Sequence, residues 1–226
     1  MSSSSATDEA TLAEVRSFAI ARCDPNDAAH DALHLQRVVA NACAIASDEL
    51  GSGSRIDLVA VEAAAWLHDI VLLPKGQGSP GEAARRSAEL AASFLRDCGV
   101  EAPRIDIVTA AIEAHSFSGG RRPEALEAQI VQDADRLDAL GAVGIARFWV
   151  TMQRLGGRMY NPEQPLPIDR PLDDRAWALD HIERKLLRLV GLMNTSAGRR
   201  EAERRTEFIR TYRDEFLREI APPEGT

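Results

Sequence analysis

His68 and Asp69 are adjacent in the stretch AAAWLHDIVLL, residues 63–73, where every other side chain is apolar. Such a segment has no face to give to water and reads as the central buried helix of its domain. Burying an imidazole beside a carboxylate there costs on the order of several kcal/mol unless something compensates it. A hydrogen-bonded pair that merely fills the core is one compensation. A divalent cation is another, because carboxylate and neutral imidazole are both good ligands. Two more candidates stand elsewhere: His34, on a helix expected over 27–50, and Asp135, on a carboxylate-rich helix expected over 124–140. Successive residues of a helix diverge by about 100°, yet both can reach an ion lying off its flank. His34 and Asp135 would then arrive from two other helices, which is how bundles build metal sites. Two nitrogens and two carboxylate oxygens, with water completing the shell, favour octahedral Mn, Mg, Fe, Co or Ni over a closed tetrahedral zinc site. Asp31, three residues before His34, is placed to accept the other ring N–H of an imidazole.

The elements that must position these groups are helices throughout. Apolar residues recur at helical spacing in a first helix after Thr7 (Leu12, Val15, Phe18, Ile20), and in the second (Ala32, Leu35, Val38, Val39, Ala42, Ile45, Ala46). The central helix starts near Asp57. Further helices are expected over 82–98, 103–116, 124–140, 142–155, 174–193 and 197–220, with Gly51, Gly99 and Gly141 as stops. Residues 74–82, PKGQGSPGE, read as a loop close after His68-Asp69, a reasonable place for substrate contacts. Residues 156–173 are too proline-rich for regular structure and suggest a lid or a packing arm. No stretch alternates with period two. The sequence therefore predicts an all-α single domain over 7–221, after a small polar tail, 1–6, that is expected to be disordered.

The chain has 226 residues and a net charge of −8, from 27 basic and 35 acidic side chains. An acidic balance gives no long-range pull toward nucleic acid or an anionic membrane. The longest apolar region, 58–73, is broken by Glu62, His68 and Asp69 and makes no membrane span, and MSSSSATDEA is no signal peptide. Cys23, Cys43 and Cys98 are far apart and odd in number, as expected of free thiols in a reducing cytoplasm.

Three segments in order, HDALHLQRV (30–38), LHDIV (67–71) and QDADRLDALGAVGIAR (132–147), carry a resemblance. In an all-α chain they resemble the HD-domain metal-dependent phosphohydrolases, and more narrowly the small bacterial YpgQ- and YedJ-like branch. HSF at 115–117 and GGRMYNP at 156–162 extend the likeness over nearly the whole chain. The HD dipeptide alone is weak; the ordered set with the long match around Asp135 is specific. By position, the resemblance implies that His34, His68, Asp69 and Asp135 are the metal ligands, and all four are present. It implies hydrolysis of phosphate esters or anhydrides; in that branch, manganese-dependent release of pyrophosphate from nucleoside triphosphates. Val71-Leu72 stand where alarmone hydrolases carry a Glu-Asp pair, and the GYP signature of cyclic-dinucleotide phosphodiesterases is missing.

Basic groups near the expected centre are candidates for phosphate binding: Arg37, one turn from His34; Lys75, in the loop; Arg86, opening a helix; and Arg136, directly after Asp135. Each is as well explained by a salt bridge or a solvated face. Arg37 is the strongest, since its ridge with Asp31 and His34 is otherwise a costly polar stripe. His115 is a candidate substrate contact or general acid, and Asp69, His115 and Arg37 form the catalytic set. Asp133 and Asp138 read as structural, capping or pairing with Arg136 and Arg147. A 5′-nucleotidase acting at the same site, a di-iron oxygenase, or a nucleotide-binding module without turnover stay open. The partner expected is a small nucleotide, and a homodimer is permitted by the two C-terminal helices.

Overall fold

In the computed structural model the described residues are 3–24, 27, 29–73, 79, 81–116 and 122–221. They form nine α-helices: α1 Ser3–Ile20, α2 Ala32–Gly51, α3 Leu58–Leu67, α4 Glu82–Asp97, α5 Ala102–His115, α6 Leu126–Asp138, α7 Gly141–Arg154, α8 Ala178–Arg184 and α9 Ser196–Ile220. A 3₁₀ helix, Leu186–Leu192, follows α8. Among the described residues the only extended pairing is an isolated bridge between Arg158 and Trp177, so the chain is all-α. No helix among them is long and apolar enough to cross a membrane.

The residues group into two compact units. The first takes Met1–Asp135 and Asn194–Gly198, the second Arg136–Met193 and Arg199–Thr226. In the first, α3 is the axis, packed against α1, α2, α4 and α5. Its Ala60, Val61, Ala63, Ala64, Ala65, Trp66 and Leu67 are all buried. Alanines on several sides let neighbouring helices approach without leaving voids, which a central helix requires. Asp57 caps its start, accepting the Ala60 N–H at 3.0 Å. In the second unit, Arg170 meets the fully buried Asp180 with two nitrogens, at 2.5 and 2.8 Å, and the Gln164 carbonyl at 2.9 Å. The proline-rich segment is thus a packing arm held on α8.

Several boundaries differ from expectation. The first helix begins at Ser3 instead of after Thr7, taking in most of the expected tail; serine costs only a fraction of a kcal/mol per helical residue. The second starts at Ala32, because Asp31 takes the N-cap position with extended backbone. The helix expected over 174–193 breaks at Lys185, whose φ −120° and ψ −61° leave the helical region. The central helix ends at Leu67, well before Leu73, and that end shapes the site.

Candidate metal centre

Each candidate ligand sits where a helix begins, where one ends, or beside a cross-link between helices. His34 lies in the first turn of α2, where Asp31 Oδ1 accepts its backbone N–H at 2.9 Å. Asp31 therefore fixes His34 through the main chain, not through the imidazole as expected. His68 occupies the C-cap of α3, and its Nδ1 donates to the Ala65 carbonyl at 2.8 Å. His115 ends α5 and repeats the device, its Nδ1 donating to the Ile112 carbonyl at 2.6 Å. In both cases a last-turn carbonyl, orphaned by the helix end, takes the Nδ1 proton and leaves Nε2 turned outward. Asp69 follows in a turn, and two residues on the Val71 N–H donates to the buried Ser87 Oγ at 3.1 Å. Asp135 lies on α6, beside Ala134, whose carbonyl accepts from Asn41 Nδ2 of α2 at 3.2 Å.

These elements bring the four expected ligands together. His68 Nε2 stands 3.6 Å from Asp69 Oδ2 and 3.8 Å from Asp135 Oδ1. His34 Nε2 stands 3.9 Å and 3.8 Å from the same two oxygens. Those gaps are too long for hydrogen bonds. Ligands about 2.1 Å from a shared ion stand roughly 3 to 4.2 Å apart, so the spacing suits a cation between them. His34 and His68 are fully buried, and His68 Nε2 has no hydrogen-bond partner among the described residues. A buried nitrogen left with its lone pair facing two carboxylates is a cost that a cation removes. The residues fit a divalent ion.

Electrostatics sets the same charge states. Burial holds the His68 pKa down to about 4, against the pull of Asp69 and Asp135, so its imidazole is neutral at pH 7. Burial alone would raise Asp69, but His68, His115 and His34 outweigh it and hold the carboxyl well below the usual range. Asp135 is lowered by the same balance, with burial opposing and His68 and His34 prevailing. Neutral nitrogen and charged oxygens are the forms a divalent ion needs.

His115 joins the centre from its Asp69 side. Its Nε2 lies 3.4 Å from Asp69 Oδ1, and its ring meets that of His68 edge-on with centroids 4.9 Å apart. His68, Asp69 and His115 thus form a second cluster with metal-ligand spacing, sharing two members with the first four. Burial pushes the His115 pKa down, but the contact with Asp69 outweighs it and the net shift is upward.

The basic candidates fare unequally. Arg37 is half-buried on α2, the helix that carries His34. Arg86 is half-exposed and paired with Glu82 at 2.5 Å. Arg136 donates to the Leu192 carbonyl. Lys75 lies outside the described residues, as does most of its loop. Asp138 pairs with Arg147 at 2.7 Å as expected. Asp133 is fully buried and accepts from the backbone N–H groups of Asn194 and Thr195 and from the Thr195 hydroxyl, at 2.8 to 3.0 Å. It binds the entry to α9 so closely that a Cβ on Gly198 would come within 2.6 Å of its Oδ2. Gln132 went unread in the sequence. It is buried, donates to the Ala114 carbonyl at 2.6 Å and accepts from Asn194 Nδ2 at 2.9 Å, tying α6 to the end of α5 next to His115. An amide next to two aspartates on an otherwise apolar helix face was its only signal.

Residues 32–140 match the HD domain family. The chain is 32% identical over 213 residues to the uncharacterized protein YpgQ of Bacillus subtilis, covering 92% of each. It belongs to the HD-domain superfamily of metal-dependent phosphohydrolases. Similar solved structures include Bacillus subtilis YpgQ in complex with ADP, with a TM-score of 0.73, 32% identity, and 96% of this chain and 98% of that one covered. An HD-superfamily hydrolase from Bacillus thuringiensis is similar at a TM-score of 0.68 and 30% identity, over 94% of this chain and 95% of that one.

Proposed function

We propose that this hydrolase acts on nucleotides, cleaving nucleoside triphosphates to monophosphate and pyrophosphate at a centre held by His34, His68, Asp69 and Asp135. The observation that carries the reading is the meeting of two buried Nε2 atoms with two carboxylate oxygens at 3.6 to 3.9 Å. Support for a nucleotide comes from YpgQ, which was crystallised with ADP. A divalent ion, manganese on the resemblance with magnesium, cobalt, nickel and iron as competitors, supplies Lewis acidity toward phosphate and water. The chain's own groups do the rest. Asp69 and Asp135 bring two negative charges that balance the ion's two. His34 and His68 bring neutral donors, with the His68 tautomer fixed by Ala65. His115 and Arg37 stand beside the ligands as the remaining catalytic candidates, Arg37 offering a positive charge to phosphate oxygens from the ligand-bearing helix. Arg86, paired with Glu82, and Arg136, bonded to the Leu192 carbonyl, are further candidates for phosphate binding, and Lys75 is a loop candidate.

A net charge of −8 favours a small nucleotide over nucleic acid or a membrane as partner. Three free cysteines suit a cytoplasmic protein. The test is a panel of nucleoside triphosphates and monophosphates with manganese-loaded protein, resolving pyrophosphate from orthophosphate. Pyrophosphate from triphosphates is the expected result. Orthophosphate from monophosphates would make the enzyme a 5′-nucleotidase instead, and tight binding without either product would make it a binding module. Iron at about two per chain with oxygen uptake would turn the assignment to an oxygenase.

A further inference from the structure

We infer that Asn41 is a positioning residue, fixing where α6 presents Asp135 to the ion; this rests on the metal-centre reading above. Asn41 is not one of the candidate ligands. It follows His34 by seven residues, about two turns along α2, and so lies on nearly the same face of that helix. Its Nδ2 donates to the Ala134 carbonyl at 3.2 Å, and that carbonyl belongs to the peptide joining Ala134 to Asp135. α2 therefore meets α6 at two points around one residue. His34 Nε2 stands 3.8 Å from Asp135 Oδ1, and Asn41 grips the peptide that leads into Asp135. A single point of contact leaves a helix free to turn about it. Two points fix both its rotation and its height.

Asp135 needs such a hold more than its companions do. His68 and Asp69 are covalent neighbours, and α2, which carries His34, packs directly against α3. The helices packed most extensively on α3 are α1, α2, α4 and α5, so Asp135 arrives on a helix outside that set. Ile130, Val131 and Ala134 of α6 are fully buried. Apolar burial is non-directional, however, and tolerates a small slide that a donor and acceptor in line do not. Asp135 Oδ1 lies 3.8 Å from His34 Nε2 and 3.8 Å from His68 Nε2. A coordinating constellation has to be held to within about 0.5 Å, and a slide of α6 would spoil that balance. Gln132, three residues before Asp135, adds a second hold by donating to the Ala114 carbonyl of α5 at 2.6 Å. Amide side chains thus tie this stretch of α6 to two neighbouring helices, and Asn41 is the tie at Asp135 itself.

Asn41→Leu removes the donor and keeps the branching of the side chain. Manganese affinity, read by calorimetry, should fall about tenfold to a hundredfold, as it does when a ligand loses its support. The visible absorption bands of the cobalt-loaded protein, which report the arrangement of ligands without reference to turnover, should shift. Asn41→Gln returns an amide donor on a longer arm and should regain most of both losses; Asn41→Ala replaces the leucine variant if that one fails to fold. A urea titration run alongside shows how much stability each variant has lost. A purely structural asparagine would lower the urea midpoint in Asn41→Leu while leaving manganese affinity and the cobalt bands as in wild type, and that result overturns the inference. Leucine and glutamine variants equally impaired in affinity overturn it too, since the donor would then be irrelevant. Wild-type protein that takes up neither manganese nor cobalt sinks the metal-centre reading, and this inference with it; wild-type uptake beside an indifferent Asn41→Leu sinks the inference alone.

Discussion

A single nitrogen states the chemical problem that the first unit solves. His68 Nε2 is fully buried and faces two carboxylates without donating to either, so its energy depends on a charge supplied from outside. Replacing His34, His68, Asp69 or Asp135 by alanine should therefore abolish stoichiometric metal content and lower phosphohydrolase activity at least 100-fold. Elemental analysis and the nucleotide panel read the two effects. The same nitrogen sets a pH dependence. The folded pKa of His68 is about 4, below the roughly 6.5 of an unfolded histidine, so between those values the unfolded chain takes up a proton that the folded chain refuses. Its contribution to stability is complete above about pH 6.5 and is lost as the pH falls toward 4, by up to about 3 kcal/mol at 1.36 kcal/mol per unit. Denaturation midpoints of metal-free protein, measured from pH 7.5 to 4, should fall accordingly. The slope should flatten in His68→Gln. His115, shifted upward, works with the opposite sign: its contribution is present at low pH and fades as the pH rises through its folded value.

At the scale of elements, ligands are placed by how helices start and stop. Asp31 caps α2 and holds the residue that carries the first imidazole. Asp31→Ala should cost about 1 kcal/mol of stability and weaken metal binding by roughly tenfold, as losing a ligand's support does. Urea titration and isothermal calorimetry would separate the two losses. The four candidate ligands were legible in the sequence because a polar pair inside an apolar run is costly, and because the segments around His34 and Asp135 resemble those of a known family. The end of α3 was not legible. Residues 63–73 are as apolar beyond Leu67 as before it, and what marks the end is one local bond, His68 back to Ala65, and one tertiary bond, the Val71 N–H to Ser87 of α4. The bonds from Asp133 to residues 194 and 195 were hidden for a similar reason: they are contacts that no local pattern announces.

At the scale of the molecule, metal and fold are linked. An ion that binds the folded centre and not the unfolded chain stabilises by RT ln(1 + [L]/Kd), about 2.7 kcal/mol at a hundredfold excess over Kd. Manganese should raise the midpoint of thermal unfolding by several degrees, increasingly with concentration, and chelator should reverse the shift. Asp69→Ala should show no such response.

The grip of Asp133 on residues 194 and 195 bears on how the chain may be dissected. The stretch matching the HD family ends at 140, yet the first unit also draws on Asn194–Gly198, far beyond that boundary. A fragment cut at 140 would strand a buried carboxyl group two positions from Asp135, stripped of the Asn194 and Thr195 amides and the Thr195 hydroxyl that now bind it. The smallest autonomous catalyst obtainable from this polypeptide must therefore extend past its own family signature, to the first turn of the last helix.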